Sequence, residues 1–246
     1  VLYRFGKNGY TALDWYDAPD PRPDYYRNLP TSFYMDNTDY NRRNFAKYAW
    51  AKEAWETDLP STTHINWDRL YAVNSLNSTA SGNRSKYVIE ERRVDQNDLN
   101  FAVNAKWNPV KFLTVNGGLS YKWNRTEYYK ILDDLLGGDY YVNIDQFAER
   151  DFAAYPTMIQ NDLDYYLKNG AAQTLAQGDK YGYDYYAHVR RAEAWASGRF
   201  TFGGFEATVA GRLGYSKFWR EGLLRKGLFP GLDDNGNPFT YNGEVI

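Results

Sequence analysis

Strict alternation between apolar and polar residues is the feature of this sequence that most constrains its fold. It runs through LNFAVNAKWNPVKFLTVNGGLSYKW, residues 99–123, on both sides of residues 108–111. Successive side chains of a β-strand point to opposite faces, so each half predicts a strand with one apolar face. That apolar face would carry Leu99, Phe101, Val103, Ala105 and Trp107 from the first strand and Leu113, Val115, Leu119, Tyr121 and Trp123 from the second.

A second pair of alternating segments lies in RAEAWASGRFTFGGFEATVAGRLGYSKFW, residues 191–219, and turns at Gly203-Gly204. Charged side chains of both pairs fall on the face opposite the apolar one, here called the charged face: Lys106, Lys122, Arg191, Arg199, Glu206 and Arg212. A Lys or Arg that faces lipid at mid-depth costs about 2–4 kcal/mol, so a wall between lipid and water requires this segregation. The pattern predicts strands over 86–107, 112–132, 181–202 and 205–228.

The connections between these strands have two very different lengths. Tight turns are predicted at 108–111 and 203–204, whereas residues of about 12–85 and 133–180 form long connections rich in Tyr, Asp, Asn, Gly and Pro. Connections this long count against a compact domain, but outer-membrane barrels combine short periplasmic turns with long extracellular loops. The sequence therefore predicts an all-β fold: a segment of an antiparallel transmembrane β-barrel with long, partly helical extracellular loops.

Helical spacing is found in both long connections. In the first, Asn37 or Asp39 could cap a helix that carries Phe45, Tyr48 and Trp55 on one face. In the second, PTMIQNDLDYYLKNG predicts a helix that starts near Pro156 and ends before Gly170.

Composition excludes several classes of protein. With 43% hydrophobic residues the 246-residue chain is not a disordered polymer, and its net charge of −2 argues against a nucleic-acid partner. The absence of Cys excludes disulfides and zinc–thiolate sites within these residues. No apolar run approaches 18 residues, which excludes a transmembrane helix but not a strand barrel, where only alternate residues face lipid. A soluble β-sandwich also alternates, but its strands usually have about 3–10 residues.

Catalytic and metal chemistry find little support in the residue pattern. The two His, His64 and His188, have no nucleophilic Ser or Cys motif beside them. The carboxylate pair Asp133-Asp134 is interpreted as a solvated loop pair rather than a glycosidase pair. The segment LDDNGNP, residues 232–238, lacks the downstream Glu of a calcium loop and is interpreted as an Asn-Gly turn. We predict no catalytic residue, no metal site and no cofactor.

Aromatic residues are concentrated in the long connections. Large rings with polar tips suit sugar rings, peptide side chains or siderophore faces, and they equally suit packing between loops. Ligand contacts are predicted to include Trp15, Tyr25, Tyr26, Tyr140 and Tyr141. Below them, the residues predicted to line the lumen are Lys122, Arg191, Arg199 and Arg212, a cationic bias that would suit an anionic ligand.

Four segments resemble a known family, the TonB-dependent outer-membrane receptors with large extracellular loops. They are DWYDAPDPRPDYYRNLP (14–30), NWDRLYAVN (66–74), DYYVNIDQFAERDF (139–152) and FWREGLLRKGLFP (218–230). The resemblance implies a barrel of about 22 strands in the bacterial outer membrane, closed by a plug and driven by TonB. The opening VLYRFGKNG reads as the inside of a strand, so the chain is interpreted as a piece of a longer protein.

The resemblance also implies function and partners. The expected activity is TonB-dependent import of a nutrient: a glycan, a peptide or a metal chelate. Expected partners are TonB, through parts outside these residues, outer-membrane lipid and the ligand; a surface lipoprotein is allowed but required by no residue. Two alternatives stay open: a surface-exposed glycan- or peptide-binding β-domain without transport, and a secreted hydrolase.

Overall fold

Five long strands form a single antiparallel sheet in the computed structural model, which describes residues 1–34, 44–231, 237, 240–241 and 244–245. The strands are β1 (Leu2–Trp15), β2 (Tyr87–Val110), β3 (Leu113–Asp134), β4 (Lys180–Phe202) and β5 (Phe205–Gly222). Each strand pairs with the next one along the chain, and the sheet is open, with β1 and β5 at its edges. The chain is therefore mostly antiparallel β-structure.

The four predicted strands are confirmed, but the first tight turn is not where the sequence put it. Strand β2 continues to Val110, which pairs with Leu113, and only Lys111 and Phe112 turn the chain. The pairing register shifts between Trp107 and Val110, so the predicted turn residues lie in an irregularity of the strand. A proline has no N–H to offer a partner strand, which explains why Pro109 fits there. The turn at 203–204 is confirmed.

Strand β5 is shorter than predicted, because it ends at Gly222 instead of continuing to 228. Beyond that point the backbone bonds to the second long connection: the Gly227 N–H donates to the Gln160 carbonyl at 2.9 Å. A Cβ at Gly227 would lie 1.8 Å from the Thr157 carbonyl oxygen, so this close approach needs a glycine. A tertiary contact of this kind leaves no periodic signal in the sequence.

Register aligns the apolar residues of four strands on one face. Val103 pairs with Leu119, Leu119 with Ala194, and Ala194 with Leu213, while Lys122 pairs with Arg191 on the charged face. The predicted segregation of the two faces is thus confirmed. Large apolar side chains that stand exposed on the apolar face are Phe101, Val103, Trp107, Leu119, Tyr121, Phe202, Phe205, Val209, Leu213 and Tyr215.

Short elements occupy the long connections, and two of the helices among them are the ones that the helical spacing predicts. The helices are α1 (Pro30–Tyr34), α2 (Phe45–Glu56), α3 (Pro60–Thr63), α4 (Trp67–Leu76), α5 (Gln146–Phe152) and α6 (Leu163–Asn169), with a 3-10 turn at Tyr26–Asn28. Three ribbons pair Ser78–Thr79 with Gly82–Asn83, Tyr141–Val142 with Thr174–Leu175, and Thr240–Tyr241 with Glu244–Val245. None of the described helices is long and apolar enough to cross a membrane.

Caps decide where the predicted helices begin and end. Helix α2 is capped by the Asn44 side chain, whereas the predicted caps Asn37 and Asp39 lie outside the described residues, as does most of the segment 232–238. Helix α6 ends at Gly170, as predicted, in the left-handed conformation with φ of 70°. The predicted start near Pro156 is wrong: the Asp162 carboxylate caps the helix by accepting from the Tyr165 N–H.

Both long connections leave the same end of the sheet, and the buried core lies there. Trp15 and Tyr87, which flank the first connection, pair with each other. Ile131 and Lys180, which lie at the two ends of the second connection, also pair with each other. The first connection begins after Trp15, slightly later than the predicted residue 12. The core between sheet and connections consists of Tyr16, Val88, Leu132, Tyr141, Leu175 and Tyr181, with a second cluster of Leu70, Tyr87 and Leu136.

Candidate functional site

Four neighbouring strands each contribute one side chain to a buried polar cluster beneath the long connections. The Lys130 ammonium donates to Asp14 Oδ2 at 2.8 Å and to Glu90 Oε2 at 2.7 Å. The Tyr181 hydroxyl lies 2.9 Å from the same Asp14 oxygen and 3.2 Å from the same Glu90 oxygen. Because β1, β2, β3 and β4 supply one residue each, the cluster ties the strand ends together.

Charge in this cluster is closely balanced. The Glu90 side chain is fully buried and also accepts from Arg92 Nε at 2.5 Å. Burial raises the pKa of the Asp14 carboxyl, but the Lys130 charge and the hydrogen bonds outweigh it, so this pKa lies below the ordinary 3.8. Burial and the two carboxylates raise the pKa of the Tyr181 hydroxyl, which therefore stays protonated. Two paired carboxylates and two cations make a cross-link rather than a free acid or base.

A cavity of about 170 Å³ opens above the cluster, between the sheet and the second connection. Asp14, Lys130 and Tyr181 of the cluster line it, and its walls mix aromatic rings with carboxylate and amide groups. The lining residues that matter here are Trp15, Tyr16, Tyr141, Asp145, Phe147 and Tyr183. Lys226, from the segment after β5, closes one side and lies 3.5 Å from Asp145 Oδ2. Such a lining can recognise a polar ligand by hydrogen bonds and by ring contact.

One buried side chain locks the two long connections to each other. The Asn74 amide on α4 donates to the carbonyls of Tyr87, Leu135 and Leu136 at 2.7–3.1 Å. Its oxygen accepts from the backbone N–H groups of Lys86 and Tyr87. The two long connections therefore pack on each other at this point.

A second cavity of about 420 Å³ lies within the first connection. Helices α2 and α4 and the proline-rich segment around Arg22 enclose it; among its lining residues are Arg22, Asn28, Phe33, Trp50, His64 and Arg69. The Arg22 guanidinium lies 5.2 Å from the Trp15 ring and is paired with Asp20. Trp15 therefore stands between the two cavities.

The structure brings together some of the predicted ligand residues and separates others. Trp15 and Tyr141 line the same cavity, although Tyr141 is only 4% exposed and packs in the core. Tyr25 and Tyr26 form an edge-to-face pair, with ring centroids 4.7 Å apart, at the 3-10 turn. Tyr140 lies on another side, where its hydroxyl is 2.9 Å from that of Thr79.

Carboxylates accompany the four cations predicted to line the lumen, and this pairing weakens the predicted cationic bias. Lys122 lies 3.7 Å from the buried Asp98. Arg191 and Arg212 share one carboxylate, that of Glu193. The fourth cation, Arg199, pairs with Glu206 at 2.6 Å.

Sequence reasoning missed Asp14, Glu90, Lys130 and Tyr181. Alternation combined with the β2–β3 hairpin could have placed Glu90 and Lys130 on the charged face. Arg92 pairs with Lys130, and Glu90 lies two residues from Arg92 on the same face of β2. The approach of β1 and β4 to that hairpin has no local signal, because Asp14 and Tyr181 are 167 positions apart.

In comparisons with known proteins, no family model matches the sequence, and neither a curated protein nor a solved structure gives a match. The class of this protein is therefore defined by its own fold and site. It is an antiparallel sheet with one apolar and one charged face, whose long connections fold together over one end.

Proposed function

We propose that this chain is part of the barrel of a TonB-dependent importer in the bacterial outer membrane. The importer takes up a nutrient (a glycan, a peptide or a metal chelate) without covalent chemistry. The observation that carries this proposal is the apolar face, where ten large apolar side chains of β2 to β5 stand exposed while the charged side chains within the same rows lie on the charged face. Apolar surface of this extent marks a contact with lipid or with a partner.

The length of the apolar face along the strands supports lipid as the surface that it contacts. On β3 it runs from Leu113 to Trp123, and about 9–11 residues of a tilted strand cross a bilayer. Beyond Trp123 the same face becomes charged, with Lys180 paired to Glu127 and Asp184. The sheet thus continues past the apolar band into water.

Aromatic residues at both ends of the band support the same interpretation. Near the short turns the Phe112 and Phe202 rings stack at 4.7 Å, and Trp107 is exposed beside them. At the other end Trp123 and Trp219 lie just above the apolar rows. Membrane barrels carry such aromatic girdles at both interfaces.

In this proposal the charged face lines the lumen and the long connections form an extracellular vestibule. The cavity beside Trp15 would then lie at the entrance to the lumen. TonB would act through a plug and a TonB box in parts of the protein outside these residues. Transport by this route predicts that uptake stops when TonB is absent.

Thiol labelling in intact outer membranes tests the proposal, since these residues contain no native Cys. Asn104→Cys, on the charged face, should react with a water-soluble thiol reagent, whereas its neighbour Val103→Cys should not. The pair Asn116→Cys and Val115→Cys on β3 should give the same contrast. Equal labelling within each pair would mean that the apolar face does not lie in lipid, and the reverse contrast would mean that lipid covers the charged face.

A further inference from the structure

Three cations stand on the apolar side of the sheet, just above its last apolar row. That row pairs Tyr121 with Ala192 and Ala192 with Tyr215. Two residues further along each strand, Trp123 pairs with Arg190 and Arg190 pairs with Lys217. A two-residue step is about 7 Å along a strand, so Arg190 and Lys217 lie directly above the apolar band.

The next row continues the same belt. Arg125 pairs with His188, and His188 pairs with Trp219, whose ring stacks on the imidazole at 4.7 Å. Together these two rows carry a basic belt of three cations on three adjacent strands: Arg125, Arg190 and Lys217.

Aromatic rings hold the cations of the basic belt in position. The Arg190 guanidinium lies 5.0 Å from the Trp123 ring and 5.3 Å from the Trp219 ring. Lys217 Nζ lies 5.2 Å from the Trp219 ring, and the Arg125 guanidinium lies 4.6 Å from the Tyr186 ring. Ring contacts orient a cation without neutralising it, so its hydrogen-bond donors stay available for an anion.

No cation of the basic belt has a carboxylate partner among the described residues, whereas several other cations of the sheet are paired. On the charged face Arg191 and Arg212 pair with Glu193, and on the apolar side, further along the strands than the basic belt, Lys180 pairs with Glu127. In the basic belt Arg190 instead donates to two backbone carbonyls, those of Asn124 and Val189, each at 3.2 Å. Three cations without a carboxylate partner, next to the apolar row, leave positive charge free to pair with an anion from outside the chain.

We propose that the basic belt binds the phosphate groups of a phosphorylated lipid headgroup in the outer leaflet. This inference rests on the proposed function, because only a membrane against the apolar face brings headgroups to this level. Phosphate oxygens match the fork of a guanidinium and the point charge of an ammonium. A protein partner is less suitable, since the row immediately below lies in hydrocarbon in this geometry.

Native mass spectrometry of the full-length protein tests the basic belt with diphosphorylated lipid A as the probe and phosphatidylcholine as the neutral comparison. Each cation near a membrane surface contributes about fivefold to the affinity for anionic lipid, so the double variant Arg190→Gln, Lys217→Gln should bind lipid A about 25-fold more weakly. Binding of phosphatidylcholine should not change. The charge-preserving pair Arg190→Lys, Lys217→Arg should retain binding.

A matched control removes one Arg and one Lys from the loop helices: Arg150→Gln in α5 with Lys168→Gln in α6. It should bind lipid A as the unmodified protein does. If the double variant does not assemble, the single variants are each expected to lose about fivefold. Competition by inorganic phosphate at millimolar concentration would identify a site for free phosphate and overturn the assignment to a lipid.

The combined results distinguish failure of the basic belt from failure of the proposed function. If thiol labelling locates the apolar face in lipid but the double variant binds lipid A unchanged, the basic belt is not a lipid site and the importer proposal stands. If labelling shows that the apolar face is not in lipid, both proposals fail together. An equal loss in the loop-helix control would also overturn the basic belt, because the effect would then follow net charge alone.

Discussion

At the scale of single residues, Asn74 joins helix α4 to the start of β2 and to the start of the second connection. It is fully buried and satisfies three carbonyls and two N–H groups from segments up to 62 positions away. Leu136, one of its acceptors, has a positive φ of 48°, which is costly for a residue with a Cβ. The Asn74 hydrogen bonds thus help to hold a strained backbone in place.

Asn74→Ala should therefore loosen the connection between the two loops. Each buried polar group left without a partner costs about 1–3 kcal/mol, so we expect a loss of roughly 3 kcal/mol or more in local stability. Hydrogen exchange at the Lys86 and Tyr87 amides measures this directly, because both N–H groups donate to Asn74. Ser75→Ala, at the next and exposed position, should leave that exchange unchanged. Equal exchange in both variants would show that backbone pairing alone holds these segments.

At the scale of elements, alternation predicted four strands and both of their faces, because a period of two is a local property of the chain. Their ends were less predictable. The end of β5 at Gly222 depends on the contact between Gly227 and Gln160, and the position of the first turn depends on a register shift after Trp107. Such features arise from segments that are distant in the sequence, so no local pattern reports them.

Val209→Arg tests which face meets lipid at the scale of one strand. Val209 follows Gly204 of the short turn by five residues, which is about 12 Å of membrane depth for a strand tilted by about 45°. A fixed charge near mid-depth should cost about 2–4 kcal/mol. Ala210→Arg, one residue further and on the charged face, is the matched control and should assemble normally. The free energy of unfolding in lipid vesicles, from urea titration, measures the difference. A larger loss for Ala210→Arg would invert the assignment of faces.

At the scale of the whole molecule, the candidate site exists only because both long connections fold over the same end of the sheet. Composition indicated aromatic loops, and the tight turns indicated a common end for them. The cavity itself joins Trp15, Lys130, Tyr141 and Tyr181, which belong to separate strands and connections. Residues that meet only through the folded connections cannot be grouped from one sequence, and this is why the predicted ligand residues were in part separated by the structure.

The predicted ligand residues should therefore be tested in two groups. Tyr141 packs edge to face on Tyr181, with centroids 5.8 Å apart, and its removal would mix binding with stability. Trp15, Tyr25 and Tyr26 are partly or fully exposed, but Trp15 also packs against the second core cluster, so binding by the triple Ala variant of these three is measured after its assembly has been verified. Aromatic anchors dominate recognition energy, and we expect uptake affinity to fall at least about tenfold while assembly is unchanged.

The fall in affinity is measured as uptake of a panel of glycans, peptides and iron chelates by the full-length protein and by the triple variant. The matched control is Tyr71→Ala with Tyr155→Ala, two exposed loop aromatics that line neither of the two cavities. Tyr141→Phe keeps the ring in the core and removes only the hydroxyl, so it separates packing from hydrogen bonding to a ligand. Unchanged uptake by the triple variant would mean that these rings serve packing between the loops. Selectivity would then have to come from the charged face or from strands beyond β1 and β5.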